Sequence, residues 1–219
     1  NILLSVDPAT GKEMSLSILI NLNGDTLNLK PNNYLFDEDL KRIRRMANES
    51  LHYVHAGNVF FKEEFSDTVF SIDKDSYRFI PCLILDSHGQ GLSPMVRYDR
   101  EYAKSHGNEI YWVYSIMESP GYLFYTFEHN MSRNRIVYDK AADRKYNIAL
   151  KDPFRDDLAG GPPVDPVLSP DGKMYSLLEV LTLKNHVNKA DFKDIQVKNS
   201  GTKEDLERRS EEIKIDLTP

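Results

Sequence analysis

The stretch Leu51–Leu85, LHYVHAGNVFFKEEFSDTVFSIDKDSYRFIPCLIL, constrains the fold more than any other part of the chain. It reads as four short strands, Leu51–Ala56, Val59–Phe65, Thr68–Asp73 and Tyr77–Leu85, rich in β-branched and aromatic residues. The turns between them, Ala56-Gly57-Asn58, Ser66-Asp67 and Lys74-Asp75-Ser76, use residues that tolerate a positive φ or bond their own backbone. A meander this narrow cannot bury both faces alone. It requires neighbouring sheets.

The neighbours are copies of the same unit. Asp73 closes the third strand, Asp139 closes RIVYD 66 positions later, and Asp7 closes ILLSVD 66 positions earlier. Leu4, Phe70 and Ile136 correspond, as do Val6, Ile72 and Tyr138, so the alternation stays in phase. The second strand begins alike at Gly57-Asn58-Val59-Phe60, Gly121-Tyr122-Leu123-Phe124 and Gly172-Lys173-Met174-Tyr175. Together these argue for a repeated four-stranded antiparallel sheet with an irregular last copy.

The expected organisation is one all-β portion over 1–219, with a partial copy at 1–22 built from strands Asn1–Asp7 and Met14–Leu22. Full copies follow at 51–85 and 110–151, the second with strands Ile110–Ser119, Tyr122–His129, Arg135–Asp139 and Lys145–Lys151. A partial copy at 162–180, with strands Pro162–Ser169 and Lys173–Val180, precedes a helical insertion at 184–218, where Thr202 starts a helix. Asn23–Asn33 reads as a polar turn. Asp37–Leu51 reads as a helix with Leu40, Ile43, Ala47 and Leu51 inward, and Lys41, Arg42, Arg44 and Arg45 on a solvated face. The missing strands, and a start at Asn1 without Met or signal peptide, lead us to expect a piece of a longer protein. The remaining sheets then come from a missing segment or another chain.

Composition narrows the function classes. A net charge of −6 without a basic stripe argues against nucleic acid as a partner. No apolar run approaches the ~18 residues of a transmembrane segment. Cys82, the single cysteine, lies in an apolar strand and reads as a buried core thiol rather than a nucleophile. No cofactor or metal signature stands out: Asp86, His88 and His106 lack a local ligand spacing.

At FSDTVFSID (Phe65–Asp73) the chain resembles the six-bladed β-propeller proteins of Bacteroides-type bacteria, whose blades often carry F-x-D-T-[VI]-[YF]. That group is largely of unknown function and commonly lipoproteins. The stretch DDLAGGPPVDPVLSPDGKMYSLLEV (Asp156–Val180), with a charged helical segment after it, resembles the end of such proteins. The resemblance implies β-propeller blades, radial four-stranded antiparallel sheets, with about three visible of a probable six. It also implies a periplasmic or outer-membrane-surface location, with a possible lipid anchor on a missing N-terminus.

Strand parity places the candidate site. The first-to-second and third-to-fourth connections are short (HAGN, ESPG, SPDG, DPATGK, DKDS, DKAADR), whereas Asp86–Glu109, Glu128–Asn134 and Lys184–Thr218 belong to the long opposite set. Long loops on one face of a rigid scaffold are the usual binding place. The candidate ligand-binding residues there are Arg97, Tyr98, His129, Asn130 and Arg133. Trp112 joins them on a first strand beside Tyr114, nearest the expected axis, where the pair suits either core packing or stacking on a sugar. Adjacent Asp156 and Asp157 read as turn caps, and Ser169-Pro170-Asp171-Gly172 reads as a β-turn. The favoured function is a cell-envelope binding or scaffolding propeller for a protein, peptide or glycan. The alternative is a propeller hydrolase or lyase acting on a glycan at the central axis, which requires convergent acids or histidines that the visible blades lack.

Overall fold

Alternation of apolar and polar side chains sets the first sheet: Ile2–Ser5 (β1), Ser15–Ile20 (β2) and Thr26–Pro31 (β3) pair antiparallel in chain order. The computed structural model describes residues 1–6, 12–35, 50–97, 99–149, 154–165, 167–168, 173–198 and 200–212. Residues 1–149 form one compact unit, and most of the chain beyond them a second.

Two four-stranded antiparallel meanders complete the first unit, each paired in chain order. One comprises Ser50–His55 (β4), Asn58–Glu63 (β5), Thr68–Ile72 (β6) and Phe79–Ile84 (β7). The other comprises Trp112–Glu118 (β8), Tyr122–His129 (β9), Ser132–Asp139 (β10) and Arg144–Ala149 (β11). Hairpin chemistry fixes their registers. Ala56 and Gly57 both hold positive φ, 49° and 72°, as a two-residue type I′ connection demands. Asp73 Oδ1 accepts the Ser76 N–H at 2.7 Å and the Ser76 hydroxyl at 2.7 Å, while Asp139 Oδ1 accepts the N–H groups of Ala141 and Ala142 at 3.0 Å. The in-phase aspartates therefore start the same turn in both sheets.

The first copy differs from its expected form. Asp7 and the residues of the expected helix up to 49 lie outside the described residues. Ser15–Ile20 is the middle strand of its sheet rather than its last, because the expected polar turn contains β3. Asn21 follows β2 as Asp73 follows β6, its Oδ1 accepting the N–H groups of Asn23 and Asp25 at 2.9 Å. Leu27 is half-buried while Leu29 is exposed, and Pro31 is tolerated at the end of an edge strand.

The sheets pack face to face. Between the two meanders lies a core of Val69, Leu85, Ile116 and Leu123. The Tyr53 hydroxyl donates to Glu118 Oε2 at 2.8 Å across it, and Lys140 Nζ donates to Glu118 Oε1 at 2.6 Å. The first sheet joins β4 and β6 through Ser5 Oγ, which reaches Ser50 Oγ at 2.6 Å and His52 Nε2 at 3.1 Å, and through Lys30 Nζ, 3.9 Å from the centre of the Phe70 ring. Cys82 is a correction: it is exposed, not a core thiol, because β7 is the outermost strand of its sheet. The expected connector Asp86–Glu109 is partly helical, with a 3₁₀ turn at Pro94–Arg97 and a helix at Arg100–His106 (α1). Asp99 caps α1 by accepting the N–H groups of Glu101 and Tyr102 at 2.9 Å.

One of these contacts predicts a pH effect. Burial beside Phe61 lowers the His52 pKa from 6.5. The unfolded chain then binds the proton more readily, so this group's stabilisation is full above about pH 6.5 and is lost as pH falls toward the lowered value. A His52→Gln variant is expected to lose less of its midpoint than the parent between pH 7 and pH 5, measured by thermal unfolding. Equal losses would show that His52 does not couple folding to protons.

Helices make up most of the regular structure of the second unit among its described residues. Val167–Leu168 (β12) and Met174–Tyr175 (β13) form a two-stranded ladder where the third copy was expected, and helix α2 (Val180–Val187) begins where the second expected strand was to end. A 3₁₀ turn at Phe192–Asp194 and helix α3 (Ser200–Glu212) follow. Gly160, at φ +72°, is required: a Cβ there would lie 3.0 Å from Val197 Cγ1 and 3.1 Å from Ile195 Cγ2.

Candidate functional site

The hairpin between β9 and β10 is tighter than the sequence implies. Asn130 and Met131 are its two turn residues, both at positive φ (52° and 56°), so Glu128–Asn134 is mostly strand rather than loop. The Asn130 N–H donates to the Asn108 carbonyl. The turn thereby closes over the connector, and beneath it lies a cavity of about 220 Å³. Leu92, Val96 and Ile110 form its apolar side, while Trp112, His129 and Asn130 bring polar groups to it.

Two of those groups lack partners. Trp112 Nε1 and His129 Nδ1 are both buried, and neither has a hydrogen-bond partner among the described residues. An unmet buried donor costs roughly 1–3 kcal/mol, so both atoms are suited to meeting a ligand. The rings are held by stacking. His129 lies 4.0 Å from Tyr111 with an interplanar angle of 6°, and Trp112 lies 5.0 Å from Tyr114 at 25°.

Glu128 organises the rim. It faces Trp112 on β8 and Arg133 on β10 in register. Its Oε2 accepts the Tyr114 hydroxyl at 3.0 Å and lies 3.5 Å from Arg133 Nε, while the guanidinium sits 4.8 Å from the Tyr114 ring centre. Arg133 is exposed, so its charge faces solvent. Burial and the bond to Glu128 both raise the Tyr114 pKa, which keeps the hydroxyl a donor. Behind Glu128 stands a cationic fork on an aromatic platform, and the interior presents a ring N–H and an imidazole nitrogen. That set suits hydroxyl, carbonyl or carboxylate groups.

Of the expected site residues, His129, Asn130 and Trp112 meet at this cavity, and Arg133 reaches it only through its pairing with Glu128, which lines it. Tyr98 and the side chain of Arg97 lie outside the described residues, although the backbone of Arg97 ends the 3₁₀ turn. The other constellations separate. His88 pairs with Asp86 at 3.1 Å, while His106 stacks on Tyr102 at 4.4 Å; among the described residues no three metal-ligating side chains converge. Asp156 is a turn cap, its carboxylate accepting the N–H groups of Leu158, Ala159 and Gly161 at 3.0 Å, and Asp157 pairs with Lys198. Ser169–Gly172 lies outside the described residues. Glu128 and Tyr111 went unselected in the sequence. Only the cross-strand register, which the hairpin turn sets, brings Glu128 between Trp112 and Arg133.

Comparison with known proteins agrees with this architecture. A family model described as "Domain of unknown function (DUF4933)" matches residues 6–189. No curated protein matches the chain. A crystal structure of a candidate exported protein from Bacteroides fragilis NCTC 9343 superposes with a TM-score of 0.56 at 17% identity, over 94% of this chain. At that identity the likeness concerns the fold. The chain spans 60% of the length of that protein. Among the described residues no helix is long and apolar enough to cross a membrane.

Proposed function

The chain belongs to the DUF4933 family, and from that premise we propose that it is part of a cell-envelope binding β-propeller. In this reading the three stacked antiparallel sheets of the first unit are successive blades, and the ring is completed by segments beyond those seen here. The Bacteroides fragilis neighbour, described as a candidate exported protein, supports a location in the periplasm or at the outer-membrane surface, with a lipid anchor as one means of retention. The ligand is a glycan, peptide or protein segment presenting acceptor groups. It docks on the Trp112–His129 cavity, with Arg133 behind Glu128.

The observation that carries this reading is the pair of unpartnered buried nitrogens, Trp112 Nε1 and His129 Nδ1, at one cavity flanked by stacked aromatic rings. A cavity serving only packing has no use for two orphaned polar atoms. Binding suits it better than catalysis, because among the described residues Glu128 is the single carboxylate that lines this cavity.

The test is a screen of glycans and envelope proteins against the intact protein, repeated with three variants. Arg133→Ala is expected to weaken a true ligand while changing stability by no more than about 0.5 kcal/mol, as for an exposed residue. Trp112→Phe keeps the stacked ring and removes the N–H, and is expected to weaken the same ligand. Asp139→Ala, in the turn at the opposite end of the sheet, is expected to leave binding intact. Loss from the Asp139 variant alone, or equal loss from all three, would place the ligand elsewhere.

A further inference from the structure

A second cavity, of about 180 Å³, lies between the two meanders, and its polar floor is unusual. Lys62 and Glu64 project into it from the end of β5 and the residue after it, with solvent exposures of 4% and 7%. Asp67 lies beside them. Buried charges of this kind are costly unless matched. Asp67 Oδ2 is matched, accepting the Ser87 N–H at 2.9 Å and the Ser87 hydroxyl at 2.7 Å. Lys62 is matched only in part: its ammonium has three donors, and among the described residues it donates one hydrogen bond, to the Glu63 carbonyl at 3.1 Å. The facing wall is aromatic, from Tyr125 and Phe127 on β9, with ring centres 5.9 Å apart. Gly91 keeps the acid end open, because a Cβ there would stand 3.2 Å from Asp67 Oδ1 and 3.0 Å from Ser87 Oγ.

The cavity therefore holds both signs of charge within one small space, Asp86 and Lys145 included, beside an aromatic wall. A simple anion would meet Glu64 and Asp67 at close range, and a simple amine would meet Lys62; such like-charge approaches are strongly disfavoured. A molecule carrying both charges avoids both penalties. We infer that this cavity binds a free α-amino acid, with its carboxylate on Lys62, its ammonium on Glu64 and Asp67, and an apolar or aromatic side chain against Tyr125 and Phe127. Burial lowers the Lys62 pKa, while Glu64, Asp67 and Glu63 act to raise it, so the acids help keep the amine charged. This site adjoins the Trp112–His129 cavity, with Leu92 lining both, but Trp112 and His129 do not line it. Nothing in it depends on the envelope reading.

The experiment is calorimetric titration of the intact chain with L-phenylalanine, L-leucine, 3-phenylpropionate and 2-phenylethylamine. The amino acids are expected to bind, and each single-charge analogue is expected to bind about thirtyfold more weakly or worse, the loss when one partner of a buried charge pair is removed. Lys62→Met, which fills the same space without charge, is expected to lose binding, and Asp67→Asn to weaken it. Trp112→Phe is expected to leave the affinity unchanged. Absence of binding by both amino acids would overturn the inference, as would phenylpropionate binding as well as phenylalanine, or an unchanged affinity in Lys62→Met. The analogue comparison uses the parent protein, so it decides the matter even where a variant folds poorly.

Discussion

Replacing Phe61 with alanine is expected to cost about 3–5 kcal/mol of stability, the range for a large aromatic side chain removed from a packed interior. Phe61 is fully buried on β5, an interior strand of its sheet, with Cα partners His52 and Phe70 on either side. Its ring meets Phe79 edge-on at 5.6 Å and His52 at 5.5 Å. Residues of β4 and β7 thus lose their contacts together, and a β-sheet held by register has little freedom to collapse into the space. Against a total of about 5–15 kcal/mol for a typical domain, the loss is a large fraction. Chemical denaturation reads it directly as a lowered midpoint at constant slope. Ile84→Ala is the comparison, because Ile84 is 69% exposed on the outer strand β7 and is expected to change stability by no more than about 0.5 kcal/mol. A Phe61 variant as mild as the Ile84 variant would mean that β5 is not the centre of its sheet.

The contrast between those two positions explains what the sequence discloses and what it hides. The strands of both meanders are legible because each carries β-branched and aromatic residues between turn formers, and Tyr122–His129 matches β9 to the residue. The equal spacing of Asp73 and Asp139 is legible because one turn geometry needs one side-chain acceptor. Burial is less legible. Ile80, Cys82 and Ile84 look like core residues, yet they sit on an outermost strand and are exposed. Conversely, Lys62, Glu63 and Glu64 look like solvated charge but are buried, because β5 is covered on both faces at that end. Alternation reports which residues share a face. It does not report whether that face is covered.

The candidate site was legible in a similarly partial way. Trp112 stands 17 and 18 residues before His129 and Asn130; strand parity selects the latter two as loop residues, and Trp112 is legible only as an aromatic on a first strand. Their meeting at a cavity depends on Asn130 and Met131 taking positive φ, which shortens an expected loop to a two-residue turn. Asparagine tolerates that conformation and signals it; methionine does not. The partnerless state of Trp112 Nε1 and His129 Nδ1 is a tertiary property, since it depends on which acceptors fail to arrive.

Removing Phe192 is expected to have a comparable effect on the second unit, about 3–5 kcal/mol and with it most of the helical signal. Phe192 is fully buried, although it belongs only to a short 3₁₀ turn. His186 of α2 meets its ring edge-on at 5.5 Å while bonding the Gly160 carbonyl through Nε2 at 2.8 Å. Lys203 of α3 places its ammonium 4.9 Å from the ring centre while donating to the carbonyls of Lys193 and Ile195 at 3.0 and 2.9 Å. One side chain therefore connects two helices and the Gly160 turn. Neither helix has an independent reason to persist: α2 has 8 residues and α3 has 13, at or below the length at which isolated helices are marginal in water. Far-UV circular dichroism of Phe192→Ala is expected to lose helical signal near 222 nm, with amide exchange accelerated across Val180–Glu212 and unchanged in β9. Leu177→Ala, at a residue 86% exposed, is expected to leave both measurements as they are. Retention of slow exchange in α2 and α3 without the Phe192 ring would show that some other contact holds the helices.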